Sequence, residues 1–192
     1  MEKFSLKKVT YGFVQAHSYI TVKDGPAIVI DAAAPLSLVS EKCAPAKIAA
    51  LLLTHGHFDH TDYAAEYNAA GITVYMSAAD FQLPRRKFNT DITLTGEETL
   101  DIAGFRIIIK SVKGHTNGGL CYYFEEENLV FTGDTLFEGT IGRTDFKDGC
   151  HSTLVSDIKN QLLGLPDNTV IYPGHGDSTT VGTEKARNRY LR

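Results

Sequence analysis

Residues 51–62 read LLLTHGHFDHTD, and this stretch limits the possible folds more than any other. The chain has seven histidines, and three of them fall here with Asp59 and Asp62, all within eight residues. A surface loop has no structural need for so many imidazoles, whereas neutral imidazole and carboxylate are good ligands for Zn²⁺ and similar first-row metals. The remaining candidate ligands each follow an apolar run. His115 comes after FRIIIKSVKG, Asp134 after NLVFTG and His175 after NTVIYPG, each with a glycine beside it. Loops at strand ends are where scaffolds present functional groups, so the fold must gather several strand ends at one place. The gathered set is then His55, His57, Asp59, His60, His115, Asp134 and His175. Seven groups are too many for one tetrahedral ion but suit two ions that share a carboxylate.

The rest of the pattern supplies such strands. KKVTYGFV, HSYITV and PAIVID read as β-type runs, the last after an Asp24-Gly25 turn signal. A short helix is expected around Leu36 to Lys42. Residues 48–53, IAALLL, read as a buried strand, although a run this short also suits buried helix. TDYAAEYNAAG reads as a helix capped by Thr61 and stopped by Gly71, and ITVYM follows as a strand. ETLDIAGFRIIIKSV, LCYYF and NLVFTGD continue as strands. HSTLVSDIKNQLLGL places Leu154, Val155, Ile158, Leu162 and Leu165 at helical spacing. NTVIYPGHG is a last strand and GTEKARNRYL a terminal helix. Strands and helices alternate in each half, so sheets covered by helices are expected, with residues 1–192 as one domain.

Composition excludes several classes. The 192 residues carry a formal net charge of −4, which gives no electrostatic case for nucleic acid or an anionic membrane. The N-terminus MEKFSLKKVTYGF lacks the apolar core of a secretory signal, and no apolar run approaches the ~20 residues that span a bilayer. Cys43, Cys121 and Cys150 are odd in number and lack CxxC spacing. They read as free thiols, small core residues of a cytoplasmic protein in a reducing compartment.

THGHFDH, GHTNG, FTGDTLF and PGHG together resemble the metallo-β-lactamase-fold hydrolase superfamily. GDTLFEGTIGRTDF and CYYF are most similar to its glyoxalase II (hydroxyacylglutathione hydrolase) branch, particularly the short single-domain bacterial members. The resemblance implies an α+β, four-layered αββα sandwich with the site at one edge between the sheets. It puts His55, His57 and His115 on a first metal and Asp59, His60 and His175 on a second, with Asp134 bridging. Asp31 matches a supporting aspartate. The implied cofactors are two divalent ions, Zn²⁺ first, with Fe²⁺ or Mn²⁺ as alternatives. Such a pair lowers the pKa of a bridging water, whose hydroxide attacks a carbonyl, with Asp59 as the catalytic residue orienting it. The implied partner is a small-molecule thioester such as S-lactoylglutathione.

The same resemblance implies that Arg143 and Tyr122 grip glutathione; the alternative for Arg143 is an internal ion pair with Asp145 or Asp148. The extra C-terminal helical domain of full-length glyoxalase II enzymes has no counterpart after PGHGDSTTVGTEKARNRYLR. Alternatives of the same fold are lactone or ester hydrolases and mononuclear-iron persulfide dioxygenases, which GHTNG and GRTDF also resemble. Outside the cluster, His17 and His151 read as structural, and EEEN at 125–128 as an exposed turn. PRRK at 84–87 reads as a solvated face or a guide for an anionic substrate, and Gly142 as a turn requirement.

Overall fold

A computed structural model of the chain describes residues 4–23, 25–82 and 87–192. Asp24 of the turn signal and Pro84–Arg86 of the basic run therefore lie outside the described residues. Six strands form the first sheet in sequence order: β1 (Phe4–Tyr11), β2 (Ala16–Lys23), β3 (Ala27–Ile30), β4 (Ile48–Leu52), β5 (Thr73–Ser77) and β6 (Ile92–Leu94). β1, β2 and β3 pair antiparallel, while β3 to β6 run parallel. The second sheet holds β7 (Thr99–Ile102), β8 (Phe105–Ser111), β9 (Leu120–Phe124) and β10 (Leu129–Gly133). A ribbon of β11 (Leu136–Phe137) and β12 (Thr140–Ile141) follows. Then β13 (Val170–Pro173) and β14 (Thr179–Thr180) complete the second sheet, in the order β14-β13-β10-β9-β8-β7.

Side-chain alternation along the strands makes three apolar layers. Ile28, Ile30 and Leu52 of the first sheet face Ile107, Tyr122, Phe124 and Phe131 of the second, forming the core between the sheets. The opposite face of the first sheet, including Val29 and Leu51, packs on α1 (Leu36–Cys43) and on α3 (Ala64–Ala69), which follows the short α2 (Phe58–Thr61), chiefly through Val39, Cys43, Ala64 and Tyr67. After β5 comes α4 (Ala78–Phe81). The second sheet's outer face, with Cys121 and Val130, packs on α5 (His151–Asp157) and α6 (Val181–Arg187). Helix, sheet, sheet, helix is the expected four-layered sandwich. Strands with both faces covered read as continuous apolar runs, which is why AIVI and IAALL carry no alternation. Truncating a filled central position such as Phe131 to Ala costs about 3–5 kcal/mol.

Three expectations about helices need correction. Thr61 does not cap TDYAAEYNAAG. It closes α2, its hydroxyl donating to the His57 carbonyl at 2.9 Å, because the helical turn begins at Phe58, inside the histidine cluster. HSTLVSDIKNQLLGL is α-helical only to Asp157, and Ile158–Leu162 widens into a π turn in which the Leu163 amide donates to the Ile158 carbonyl. GTEKARNRYL is broken at Asn188, after which Arg189–Leu191 form a 3₁₀ turn. Cys43 and Cys121 are buried, but Cys150 is exposed and so is not a core residue. Among the described residues no helix is long and apolar enough to cross a membrane.

Parallel pairing decides where the donors meet. Ile30 pairs with Leu52, Leu52 with Tyr75, and Gly133 with Pro173. The C-terminal ends of β3, β4 and β5, and those of β10 and β13, are thus brought level within their sheets. Asp31, Thr54, His55, Asp134 and His175 all leave from these ends.

Candidate metal centre

Each strand end delivers its donor through a short, tied loop. Asp31 follows β3 with a positive φ of 61°, turning its carboxylate back over β4. One oxygen accepts the Thr54 amide at 2.7 Å; the other accepts the Thr54 hydroxyl at 2.7 Å and lies 2.7 Å from His60 Nδ1. After β4 the chain bends at Thr54 and is extended again at His57, and α2 then presents Asp59 and His60 one after the other. β8 leads to His115, β10 to Asp134 and β13 to His175.

Three donor groups result, each with ligand atoms within 4.8 Å of one another: His55, His57 and His115; His55, His60 and Asp134; and Asp59, His60 and His175. His55 Nε2 lies 3.1 Å from His57 Nδ1, which is 2.9 Å from His115 Nε2. On the other side, His175 Nε2 is 3.4 Å from His60 Nε2 and 3.2 Å from Asp59 Oδ2. Two nitrogens bound at ~2.0–2.1 Å to one tetrahedral ion stand about 3.3 Å apart, so the spacing suits shared ions. Asp134 faces both ways: Oδ2 is 3.7 Å from His115 Nε2, while Oδ1 is 3.3 Å from His60 Nε2 and 3.5 Å from His175 Nε2.

The outer nitrogens fix the tautomers. His115 Nδ1 donates to the Arg143 carbonyl at 2.8 Å and His175 Nδ1 to the Val14 carbonyl at 3.0 Å. His60 Nδ1 faces Asp31, and His55 Nδ1 lies 3.1 Å from the Thr54 hydroxyl, whose own proton goes to Asp31. Partners of this kind orient the imidazole ligands of metal sites. They leave Nε2 of His55, His60, His115 and His175 pointing inward, toward the shared space. A proton on His57 Nδ1 can satisfy only one of its two neighbours, whereas a cation satisfies all three. Asp134 Oδ1 is buried without a hydrogen-bond partner, an expensive arrangement unless a cation answers it. The donor set therefore fits two divalent ions.

Charge follows the same geometry. Burial holds the His55 imidazole well below its usual range, and His57 is lowered by burial and by His115. Burial opposes charge on His60 too, but Asp134 and Asp31 together hold it well above. For Asp134, burial is outweighed by His60, so the carboxyl stays far below the ordinary range; Asp59 is lowered, against burial, by its bond to His175. Two glycines permit the close approach. A Cβ on Gly174 would sit 2.5 Å from both Asp134 Oδ1 and His60 Cε1, and one on Gly142 would run into the Asp134 carbonyl. Gly142 thus answers crowding at the site rather than a turn.

Two residues implied as substrate contacts fare differently. Tyr122 does not reach the site: it is fully buried between the sheets, and its hydroxyl donates to the Leu53 carbonyl at 2.7 Å. Arg143 is exposed at the rim, paired with Asp145 through two 2.7 Å bonds, and lies 4.4 Å over the Phe146 ring. Phe146 in turn packs 4.8 Å from His57.

Two residues outside the expected set support the centre. Asp80 in α4 is fully buried and accepts the Gly56 amide at 2.8 Å and the Gly118 amide at 2.7 Å, joining the loops that carry His57 and His115. His17 in β2 lies 2.9 Å, through Nε2, from the Gly176 carbonyl, and its amide donates to Gly174 at 2.9 Å, pinning the His175 loop. The lone-histidine reading of His17 as structural agrees with this, but the only sequence clue to the contact was an imidazole inside an apolar strand.

Comparison with known proteins agrees with the geometry. A family model described as "Metallo-beta-lactamase superfamily" matches residues 11–175. The chain is 37% identical over 163 residues to hydroxyacylglutathione hydrolase GloC of Haemophilus influenzae, covering 73% of this chain and 74% of that protein. Its structure is similar to that of BLEG-1 B3 metallo-beta-lactamase, with a TM-score of 0.87 and 31% identity over 97% of this chain and 99% of the other. It is also similar to TTHA1623 in a di-iron-bound form, with a TM-score of 0.82 and 29% identity over 96% of this chain and 100% of the other.

Proposed function

Because the chain belongs to the metallo-beta-lactamase superfamily, we propose that it is a dinuclear metal-dependent hydrolase of thioesters, acylglutathiones such as S-lactoylglutathione among them. The observation that carries the dinuclear reading is Asp134, with one oxygen toward each donor group. His55, His57 and His115 would hold the first ion and Asp59, His60 and His175 the second, with Asp134 available to both. Two divalent ions there, Zn²⁺ or Fe²⁺ or Mn²⁺ by availability, would polarise a carbonyl and make water acidic enough to attack it near neutral pH.

This chain's residues do the rest. Asp59 stays ionised and is partly open to solvent, its side chain 14% exposed. It would orient the attacking water by accepting a hydrogen bond from it. Arg143, at the rim over Phe146, would bind the anionic thiol part of a substrate by exchanging its Asp145 partner for it. The thioester reading is supported by the likeness to GloC, and a β-lactam reading by the likeness to BLEG-1.

The test is a panel of S-lactoylglutathione, an acyl-homoserine lactone, a β-lactam and glutathione persulfide, run with elemental analysis and an oxygen electrode. Thioester turnover should lead, with two ions per chain and no oxygen uptake. Faster lactone or β-lactam turnover would reject the substrate class, and a single iron with oxygen uptake would replace hydrolysis by dioxygenation.

A further inference from the structure

An apolar cavity opens beside the second donor group. It measures about 220 Å³ and is lined by Tyr11, Phe13, Val14, Phe58, Asp59 and Tyr63, among others. The side chains around it are unusually bare: Phe13 is 102% exposed, Phe58 66% and Val14 44%. Single exposed apolar residues need no explanation, but several converging on one hollow mark a binding surface. Two contacts make this hollow continuous with the centre. Asp59 lines the cavity while its Oδ2 stands 3.2 Å from His175 Nε2. The Val14 carbonyl, on the β1–β2 turn that forms the cavity's wall, accepts the His175 Nδ1 proton at 3.0 Å. The Tyr11 and Tyr63 rings meet edge to face at 5.7 Å, closing the far side.

We propose that this cavity is the acyl subsite, and that it takes a straight or aromatic apolar acyl group of about six to eight carbons. The proposal rests on the thioesterase reading and narrows it. Among the described residues, the charged groups in its lining are Asp59 and Asp62, so it offers no cation to a glutathione carboxylate and leaves that part to Arg143, on the side of the first donor group. At the ~30 Å³ each water claims in the liquid, the cavity holds about seven non-hydrogen atoms. A lactoyl group would fill under half of it and bring a hydroxyl into an apolar lining. An apolar chain of matching length would cover Phe13, Val14 and Phe58 instead.

The experiment is an S-acylglutathione series from acetyl to decanoyl on the metal-loaded protein, paired with calorimetric binding of acetate and octanoate. kcat/KM should rise roughly fourfold per methylene, the burial value for one CH₂, and level off near eight carbons, mainly through KM. Octanoate should bind at least tenfold tighter than acetate with a negative heat-capacity change. Phe13→Ser, on an exposed turn, and Phe58→Ser should each cut the octanoyl-to-acetyl ratio at least fivefold. A flat series with active thioester hydrolysis would overturn the acyl subsite and leave the proposed function standing. No thioester hydrolysis, with octanoate still preferred and that preference lost in Phe13→Ser, would reject the thioesterase reading but keep the apolar subsite. Equal binding of the two carboxylates would overturn the subsite whatever the turnover.

Discussion

Asp31 Oδ2 lies 2.7 Å from His60 Nδ1 while the same carboxylate receives both the amide and the hydroxyl proton of Thr54. One buried aspartate thereby sets the direction of His60 and ties it to the strand that carries His55. Asp31→Asn keeps a residue that tolerates the left-handed backbone but removes the charge. It should weaken the second ion about 10–100-fold and lower stability by about 1–3 kcal/mol. Metal titration alongside urea unfolding checks both, and unchanged affinity for the second ion would remove Asp31 from the orienting role.

Asp134→Ala should lower occupancy of both ions, and Asp59→Ala only that of the second. Both should cut turnover by several orders of magnitude while circular dichroism stays native, because these groups sit on loops at the sheet edge. Elemental analysis of the two variants distinguishes shared from single-ion ligation. Near-normal hydrolysis by Asp134→Ala would contradict the assignment. Chelation of the parent protein should abolish turnover, with recovery on adding back Zn²⁺, Fe²⁺ or Mn²⁺.

Asp80→Ala strips the acceptor from two loop amides at once. Leaving buried donors unmet costs about 1–3 kcal/mol each, so the melting temperature should drop. The ion held by His57 and His115 should be lost before the other. Asp80→Asn, which retains one acceptor, should recover part of both, and equal loss of the two ions in either variant would reduce Asp80 to a general stabiliser.

Arg143→Ala should raise KM for an acylglutathione more than it lowers kcat, the pattern of lost uniform binding. Tyr122→Phe should leave both constants alone and reduce stability by about 1 kcal/mol through its lost bond to Leu53. A KM rise in Tyr122→Phe would restore it as a substrate contact.

Glu98 governs part of the acid response. Burial opposes its charge, but the Thr95 amide and hydroxyl and the Gly96 amide donate to it and hold its carboxyl down at about 2, against 4.5 when free. A depressed folded pKa adds stability that is complete above pH 4.5 and disappears as pH falls toward 2. Glu98→Gln should therefore cost about 1–2 kcal/mol at pH 7, less than the shift alone implies because the group is partly exposed. The slope of stability between pH 4.5 and 2 should flatten in chemical denaturation, and an unchanged slope would remove Glu98 as its source.

The sequence showed the donors clearly because their chemistry is rare and their placement after apolar runs is local. His55 to His60 sit in one short segment, and His115, Asp134 and His175 each end a recognisable strand. Faces were harder to read. LCYYF has no polar residue to mark its orientation, so nothing local says that Tyr122 turns into the inter-sheet core with Leu120 and Phe124, while Cys121 packs under the second helix layer. Thr61 looked like a cap because the turn at Phe58 is hidden inside a ligand motif, and a π turn keeps Leu154, Ile158 and Leu162 on one face just as an α-helix does. Asp80 left no trace, since its two partners lie 24 and 38 residues away. The apolar cavity likewise joins Phe13 to Phe58 only after the sheets form.

His60 and His175 face each other across 115 residues of chain, and this spacing orders events during synthesis. When a ribosome has released the chain through Asp134, just past β10, His55, His57, His115 and Asp134 are all present, but Asp59 and His60 still lack their third partner. The 41 residues from Asp134 to His175 take about 2–8 seconds at ordinary elongation rates. For that interval the newborn chain carries every member of two donor groups and an unfinished pair, and only the arrival of β13 beside β10 turns the pair into a site.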